Sequence, residues 1–370
     1  MTDAIKRRGL HEDVAVVLRQ EILQSKPGQC LDSITALAKR FSVSVTTLRD
    51  ALLLLARAGL VELRHGSGTY VADRSLQQHV AVLIDYDISH PRTSYFYLRV
   101  TQQLPIFFEK QGFRSILYVG QRPFGEQTTH PTCPEFLEAV NNQMLLGVAL
   151  VSTLPHPQWF DPLVAQNIPV VGAAERSPGV RIDFLPFIRK GVQYLLEHQR
   201  DRIAVLGASP TPNSSKHWLN TFKQEMNTHG KPIQDCWIRH KLNPFSPGWS
   251  GDEFRAAWLS KEEKPNGLLI TDDSFFTDVA LAIMKLDIRV PEQLMIVTLA
   301  NRGSDIYYPF PVVRFEYDPD VFAETLGSML IKLIKGEPLR EKRIYLSFQR
   351  TIIPDEVSNA TLSLSHAGNF

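Results

Sequence analysis

The chain has 370 residues, 44% of them hydrophobic, and its 40 Lys and Arg against 39 Asp and Glu leave a net charge of +1. That length and apolar content can bury two or three cores. No apolar run is long enough to span a bilayer and none follows Lys6-Arg7-Arg8, so neither membrane insertion nor export is indicated. Cys30, Cys133 and Cys236 cannot all pair and lack metal-ligand spacing, so the expectation is a cytoplasmic protein with no metal and no cofactor.

Residues 1–72 read as one small domain. Up to residue 78 there are 11 basic and 8 acidic residues, a modest net of +3. Leu10, Val14, Val17, Leu18 and Ile22 recur on one side of a helix closed by Pro27-Gly28. Asp32 and Ser33 offer N-cap oxygens to a short helix in which Ile34, Leu37, Ala38 and Phe41 share a face. After a turn at Ser42-Val43, Ser44 caps a second helix, with Leu48, Ala51, Leu52 and Leu55 at helical spacing until Gly59 supplies a left-handed stop. Residues 60–64 and 69–71 alternate like short strands around His65-Gly66-Ser67-Gly68. A tight helix pair followed by a two-stranded wing is a winged helix-turn-helix. Its second helix lies in the major groove of DNA, where its first residues, here Val45, Thr46, Thr47 and Arg49, reach base edges. Lys6-Arg7-Arg8 could touch the DNA backbone, though such a run is more often a solvated tail.

The motifs are Leu37-Ala38-x-x-Phe41-x-Val43-Ser44, then Thr46-Thr47-Leu48-Arg49-Asp50-Ala51-Leu52, then Gly59-Leu60-Val61 and Gly66-x-Gly68-Thr69-x-Val71. The run carrying them resembles the DNA-binding domain of GntR-type bacterial transcription regulators. The resemblance implies a homodimer on a pseudo-palindromic double-stranded DNA operator. It also exposes two departures: Val45 stands where the family carries Arg after the capping residue, and Ile34-Thr35 where it carries Glu-Arg. With Thr35 and Val45 uncharged, binding weaker than in a typical member is expected, resting on Arg40, Ser44, Thr46, Thr47, Arg49, Arg64, His65 and Gly66. The alternative is a ligand sensor whose degenerate winged helix binds DNA weakly or not at all.

Residues 73–79 form a linker with neither Pro nor Gly. Residues 80–355 then read as a two-lobed α/β domain with parallel sheets, and residues 356–370 as a flexible tail. Val80 to Ile84 is a continuous apolar strand ending at Asp85-Tyr86, and a helix follows through Leu98, Leu104 and Phe108 to Gln111-Gly112. Residues 115–119, 147–151, 169–172, 202–206, 267–270 and 295–299 read as further buried strands, and the first crossing between lobes falls within residues 180–187.

Pro169-Val170-Val171, Val180-Arg181-Ile182-Asp183, Gly191 to Leu196 and Arg202 to Leu206 form one succession. Gly267 to Asp273 and Val290-Pro291-Glu292 complete it. Together they resemble the core shared by LacI/GalR-type repressors and periplasmic binding proteins. Joined to a GntR-like reader, this is similar to arabinose-repressor-like regulators. The resemblance implies ligand contacts outside the carboxyl ends of strands, in the cleft between lobes. It places Asp183 and Arg189 around the crossover, Trp249 against a sugar ring, and Asp272 and Asp273 on hydroxyls. Asp85, Tyr86, Tyr95 and Ser152 are further strand-end candidates. Trp218 replaces a family Arg, and Ala300, with Asn301 beside it, replaces a late strand-end Asp. Both Trp218 and Asn301 are therefore carried as candidate contacts, and the expected small-molecule effector is a neutral, larger sugar or glycoside.

An enzymatic reading finds little to stand on. Gly248-Trp249-Ser250-Gly251 has its second glycine one position early for a nucleophile elbow, and Asp272-Asp273 lacks a third metal ligand at suitable spacing. The expected function is sequence-specific transcriptional regulation, with repression the expected sign, controlled by an effector in the C-terminal domain.

Overall fold

The hydrophobic period changes near residue 79, and so does the architecture. The computed structural model describes residues 9–73, 77–85, 87–89, 93–122, 133–152, 157–172, 177–209, 212–242 and 248–353. The N-terminal part consists of α1 (Leu10–Gln24), α2 (Ile34–Arg40), α3 (Val45–Arg57), β1 (Val61–Arg64) and β2 (Gly68–Val71). Each start and stop has a local cause. Ser33 Oγ accepts from Ala36 N at 3.2 Å to open α2, and Ser44 Oγ accepts from Thr47 N at 3.0 Å to open α3. Ser42 turns the chain between them at φ 54°, and Gly59 ends α3 region at φ +69°, a conformation that L side chains rarely adopt. The wing pairs antiparallel from Val61↔Val71 to Arg64↔Gly68.

One core holds these pieces. Val14, Leu18 and Ile22 of α1 pack with Leu37 of α2, with Leu48, Leu52 and Leu55 of α3, and with Leu60, Val61 and Val71 of the wing. Each such side chain contributes roughly 1.5–3 kcal/mol by leaving water. The α1 stripe differs from its expected membership: Leu10 and Val17 are 59% and 49% exposed, while Ala15 is buried. Leu10 is the first helical residue, and Val17 turns off the side that faces α3.

The next part begins with β3 (His79–Ile84), α4 (Tyr95–Lys110), β4 (Ser115–Val119), α5 (Pro134–Asn141), β5 (Leu145–Ser152), α6 (Pro157–Ala165) and β6 (Val170–Gly172). These build a parallel sheet in the order β4-β3-β5-β6. All six β3 residues are buried, as expected of a strand covered by helices on both faces. The chain crosses through β7 (Gly179–Ile182) and α7 (Phe184–Glu197). It then forms β8 (Ile203–Ser209), α8 (Pro212–Thr228), β9 (Ile238–Leu242), α9 (Trp249–Leu259), β10 (Gly267–Ile270), α10 (Phe276–Lys285), β11 (Met295–Asn301) and β12 (Val312–Tyr317).

Helix α11 (Pro319–Ile334) returns to the first lobe, where Phe322, Leu326 and Leu330 share a core with Val80, Val82, Phe96 and Leu104. Strand β13 (Arg343–Leu346) pairs parallel with β7, and β14 (Gln349–Ile353) pairs antiparallel with β12 at the edge of the second sheet. That sheet runs β14-β12-β11-β10-β8-β9. The chain therefore passes between lobes three times, at β7, at α11 and at β13.

The winged helix followed by a two-lobed parallel α/β domain agrees with the expectation from sequence. Strands β7, β9, β12, β13 and β14 were not foreseen; all but β12 lie at a sheet edge or in the two-stranded crossover pair, where the apolar run that betrays a covered strand is shorter.

Candidate nucleic-acid interface and ligand cleft

Helix α3 presents Val45, Thr46 and Arg49 to solvent from its first two turns. Thr47 is half-buried and its hydroxyl lies 2.8 Å from Ser44 Oγ, so Ser44 and Thr47 are occupied with the cap. Arg49 is exposed, and its side chain makes no ion pair or hydrogen bond among the described residues. His65 and Gly66 sit exposed at the wing turn. Arg40 and Arg64 are differently placed. Arg40 pairs with Glu21 at 2.6 Å and lies over the Phe41 ring at 4.6 Å. Arg64 pairs with Glu62 at 2.9 Å and lies over Tyr70 at 4.4 Å, while Tyr70 Oη reaches Ser67. Both guanidinium groups thus stand on the exposed surface with a carboxylate already beside them. Glu21 and Glu62 were not singled out from sequence; their pairing is tertiary for Glu21 and a strand i, i+2 contact for Glu62.

The second candidate site is taken at the carboxyl ends of β3, β4, β10 and β11, the strand ends outside which open α/β sheets bind ligands. On the second lobe, Asp272 caps a 3-10 turn over Asp273–Phe275, its carboxylate accepting from Ser274 N at 2.9 Å. Asp273 is 1% exposed. Its carboxyl accepts from Asn301 N at 2.8 Å, from Asn301 Nδ2 at 3.0 Å and from Ser304 Oγ at 3.3 Å. Burial and the neighbouring Asp272 carboxylate nevertheless push its pKa up to about 7, and burial raises that of Asp272 as well. Tyr308 stands beside this group with its phenol pushed upward, first by burial and then by Asp273. The Arg314 guanidinium lies 5.1 Å over its ring. Three candidates, Asp272, Asp273 and Asn301, are therefore joined in one polar cluster. Ser304 and Tyr308 belong to it without having been singled out; they lie three and seven residues beyond the end of β11.

On the first lobe Asp85 ends β3, is 8% exposed and pairs with Arg122 at 3.6 Å. Arg122 Nε also donates to the Asp85 carbonyl at 3.1 Å. Arg122 follows the carboxyl end of β4, so the strand-end rule that selected Asp85 applied to it equally. Tyr95 is the first residue of α4 and reaches across the lobes: a Cβ on Gly303 would lie 3.1 Å from its hydroxyl. Tyr86 lies outside the described residues, as does the side chain of Ser152.

The remaining candidates are held by the fold itself. Asp183 caps α7, accepting from Leu185 N at 3.0 Å, and its carbonyl accepts from Tyr317 Oη at 2.9 Å. Arg189 lies on α7 and pairs with Glu225 of α8 at 3.5 Å. Trp218 is 5% exposed, packed edge-on to His240 and against Gly207. Trp249 is 7% exposed, edge-on to Phe275 at 5.5 Å within the second-lobe core. Both indoles are thus engaged mainly in packing. No cluster of three or more metal-ligating side chains occurs among the described residues.

Residues 10–71 match the family model for bacterial regulatory proteins of the gntR family, and residues 192–353 match that for a periplasmic binding protein-like domain. The chain is 21% identical over 186 residues to the HTH-type transcriptional regulator YkvZ of Bacillus subtilis, which covers 50% of this chain and 55% of that protein. It is 49% identical over 53 residues to the regulator LutR of the same organism, 14% of this chain and 24% of LutR. It is 22% identical over 286 residues to the arabinose metabolism transcriptional repressor of Halalkalibacterium halodurans, 72% of this chain and 73% of that protein.

Among solved structures, the transcriptional regulator CelR in complex with cellobiose superposes with a TM-score of 0.59 at 15% identity, covering 94% of this chain and 99% of that one. CcpA of Lactococcus lactis superposes with a TM-score of 0.59 at 14% identity, covering 74% and 97%. These likenesses are of fold. The chain therefore carries a gntR-family helix-turn-helix domain followed by a periplasmic-binding-protein-like domain of two parallel α/β lobes.

Proposed function

We propose that the chain is a DNA-binding transcriptional regulator, a homodimeric repressor whose winged helices grip a pseudo-palindromic duplex and whose inter-lobe cleft binds a carbohydrate that changes that grip. The observation that carries the DNA reading is Arg49: a cation without a carboxylate partner, exposed at the start of the second helix of a gntR-type domain. For the ligand, a sugar hydroxyl needs partners that both donate and accept. Asp273, raised toward neutrality, together with Asn301 and Ser304, provides both within one cluster. Two of the relatives are named for carbohydrate metabolism: the arabinose repressor, and the mannosyl-D-glycerate system repressor MngR of Escherichia coli, 34% identical over 80 residues, 21% of this chain. A second copy has an apolar surface to cover, because the packed pair α9 and α10 leaves Leu259, Leu281 and Met284 at 63%, 50% and 52% exposure.

Fluorescence anisotropy with duplexes from the DNA upstream of its own gene, at two salt concentrations and with a panel of mono- and oligosaccharides, tests this reading. Salt-sensitive binding that one carbohydrate shifts supports it. Binding to no duplex, with a carbohydrate still bound, favours the second reading of a sensor with a degenerate winged helix, for which the pre-paired Arg40 and Arg64 speak. A bound ligand recovered chemically altered would show an enzyme instead.

A further inference from the structure

A cavity of about 310 Å³ flanks the second lobe, between α7 and the edge strand β14, beside the sheet and not at its carboxyl end. Its floor is aromatic. Tyr194 and Phe315 are 8% and 3% exposed, and Phe348 meets Phe315 edge-on at 5.3 Å. Lys190 and Arg350 stand on its rim, Lys190 Nζ 5.1 Å over the Phe348 ring and the Arg350 guanidinium 5.3 Å over that of Tyr194. Neither cation has a carboxylate partner among the described residues. The one carboxylate on the rim, Glu197, already accepts from Gln193 Nε2 at 2.9 Å.

We propose that this cavity is a second ligand site, distinct from the inter-lobe cleft, for a small organic anion with a flat apolar body, of the class of an aromatic carboxylate. Its volume is at the lower end of ligand pockets, which suits a single ring. The ring would lie against the accessible edges of this aromatic floor, and the anionic group would sit between two cations that have no carboxylate partner among the described residues. Arg350 offers the paired N–H donors that a carboxylate accepts. Lys190 and Arg350 are both held over ring faces. Each is already oriented inward by its ring, so binding an anion orders little that is free. Helix α7, which carries Lys190 and Tyr194, is capped by Asp183 at the first passage between lobes, so this site lies on the element that leaves the hinge.

Calorimetric titration of the full chain with benzoate tests this, with benzyl alcohol as the neutral analogue and inorganic phosphate as the bare anion. Benzoate is expected to saturate one site per chain, with benzyl alcohol and phosphate each at least about tenfold weaker. Lys190→Gln with Arg350→Gln, both at exposed side chains, is expected to weaken benzoate at least about tenfold while keeping the wild-type urea midpoint. Asp273→Asn, in the cleft, is expected to leave benzoate binding unchanged. No saturable benzoate binding below about 10 mM, equal binding of benzyl alcohol, or loss in Asp273→Asn with retention in the rim variant would each overturn the proposal. The last outcome would place benzoate in the cleft.

Discussion

Replacing Asp273 by Asn tests the electrostatics of the cleft most directly, because that carboxyl is almost wholly buried and its protonation is tied to folding. An unfolded Asp keeps its proton only below a pKa of about 4, whereas in the fold it is held up to about 7 by burial and by Asp272. Between those limits the folded chain binds the additional proton. Stability from this group is therefore present below about pH 4 and drains away, at up to roughly 1.4 kcal/mol per pH unit, as pH rises toward 7. The ceiling over the interval is on the order of 4 kcal/mol, and the measured value falls below it because Asp272 titrates alongside.

His79 and His240 have lowered pKa values, chiefly by burial, and so pull stability the opposite way as pH rises toward their usual range. The informative quantity is thus the difference between wild type and Asp273→Asn, in which the histidines cancel. Urea unfolding followed by tryptophan fluorescence suits the purpose: Trp218, Trp237, Trp249 and Trp258 all lie in the second lobe with Asp273. The amide mimics the protonated acid and still accepts from Asn301 N, so the variant should equal or trail wild type near pH 4.5 and gain on it steadily to pH 7.5. A difference that stays constant over that range would mean that Asp273 is ionised throughout, and the argument from burial would fail.

Three further outcomes are expected. Arg49→Ala should reduce operator affinity by about 1–3 kcal/mol if its guanidinium reaches a base edge, or lower the salt slope by about 1 if it meets a phosphate; an unchanged footprint and slope would mean that the start of α3 does not face DNA. Glu21→Gln removes the carboxylate 2.6 Å from Arg40 and should tighten DNA binding several-fold at low salt, an effect that shrinks as salt is raised; gel shifts across a salt series read it. Trp249→Ala should destabilise the second lobe by roughly 3–5 kcal/mol, as loss of a buried indole does; loss of sugar binding with an unchanged urea midpoint would instead return Trp249 to the cleft wall.

What could be read from the sequence follows from how local each interaction is. The winged helix is specified by caps, a left-handed stop and i, i+3, i+4 spacing, and each of these acts within four residues, so Ser33, Ser44, Leu48 and Gly59 occupy the predicted places. The covered strands β3, β10 and β11 announce themselves as apolar runs. The cleft is different, because its partners are assembled by strand order. Asp85 meets Arg122 only because β3 and β4 are neighbours, and Asp273 meets Asn301 only because β10 and β11 are. Strand-end position selected Asp85, and the resemblance to a known core selected Asp273 and Asn301, but neither says what each will face. The two tryptophans show the same limit from the other side. A large aromatic near a strand end serves equally to stack on a ligand or to seal helix against sheet, and α8 and α9 draw Trp218 and Trp249 into the second role.

The same logic bears on the arginines. On the proposed DNA reading, Thr35 and Val45 leave uncharged two positions at which the resembled family carries Arg, and the fold ties Arg40 to Glu21 and Arg64 to Glu62. Exposed pairs of this kind contribute about 0–1 kcal/mol to the fold, so they are readily exchanged for phosphates. Each exchange, though, brings a carboxylate near the DNA backbone. On that reading such a winged helix is expected to bind with a low nonspecific component, with discrimination falling to Arg49, Thr46 and the wing turn at His65. If so, the loss of family charges selects for readout of sequence over attraction to any duplex, and the ratio of operator to random-duplex affinity should rise from Val45→Arg to wild type even as absolute affinity falls.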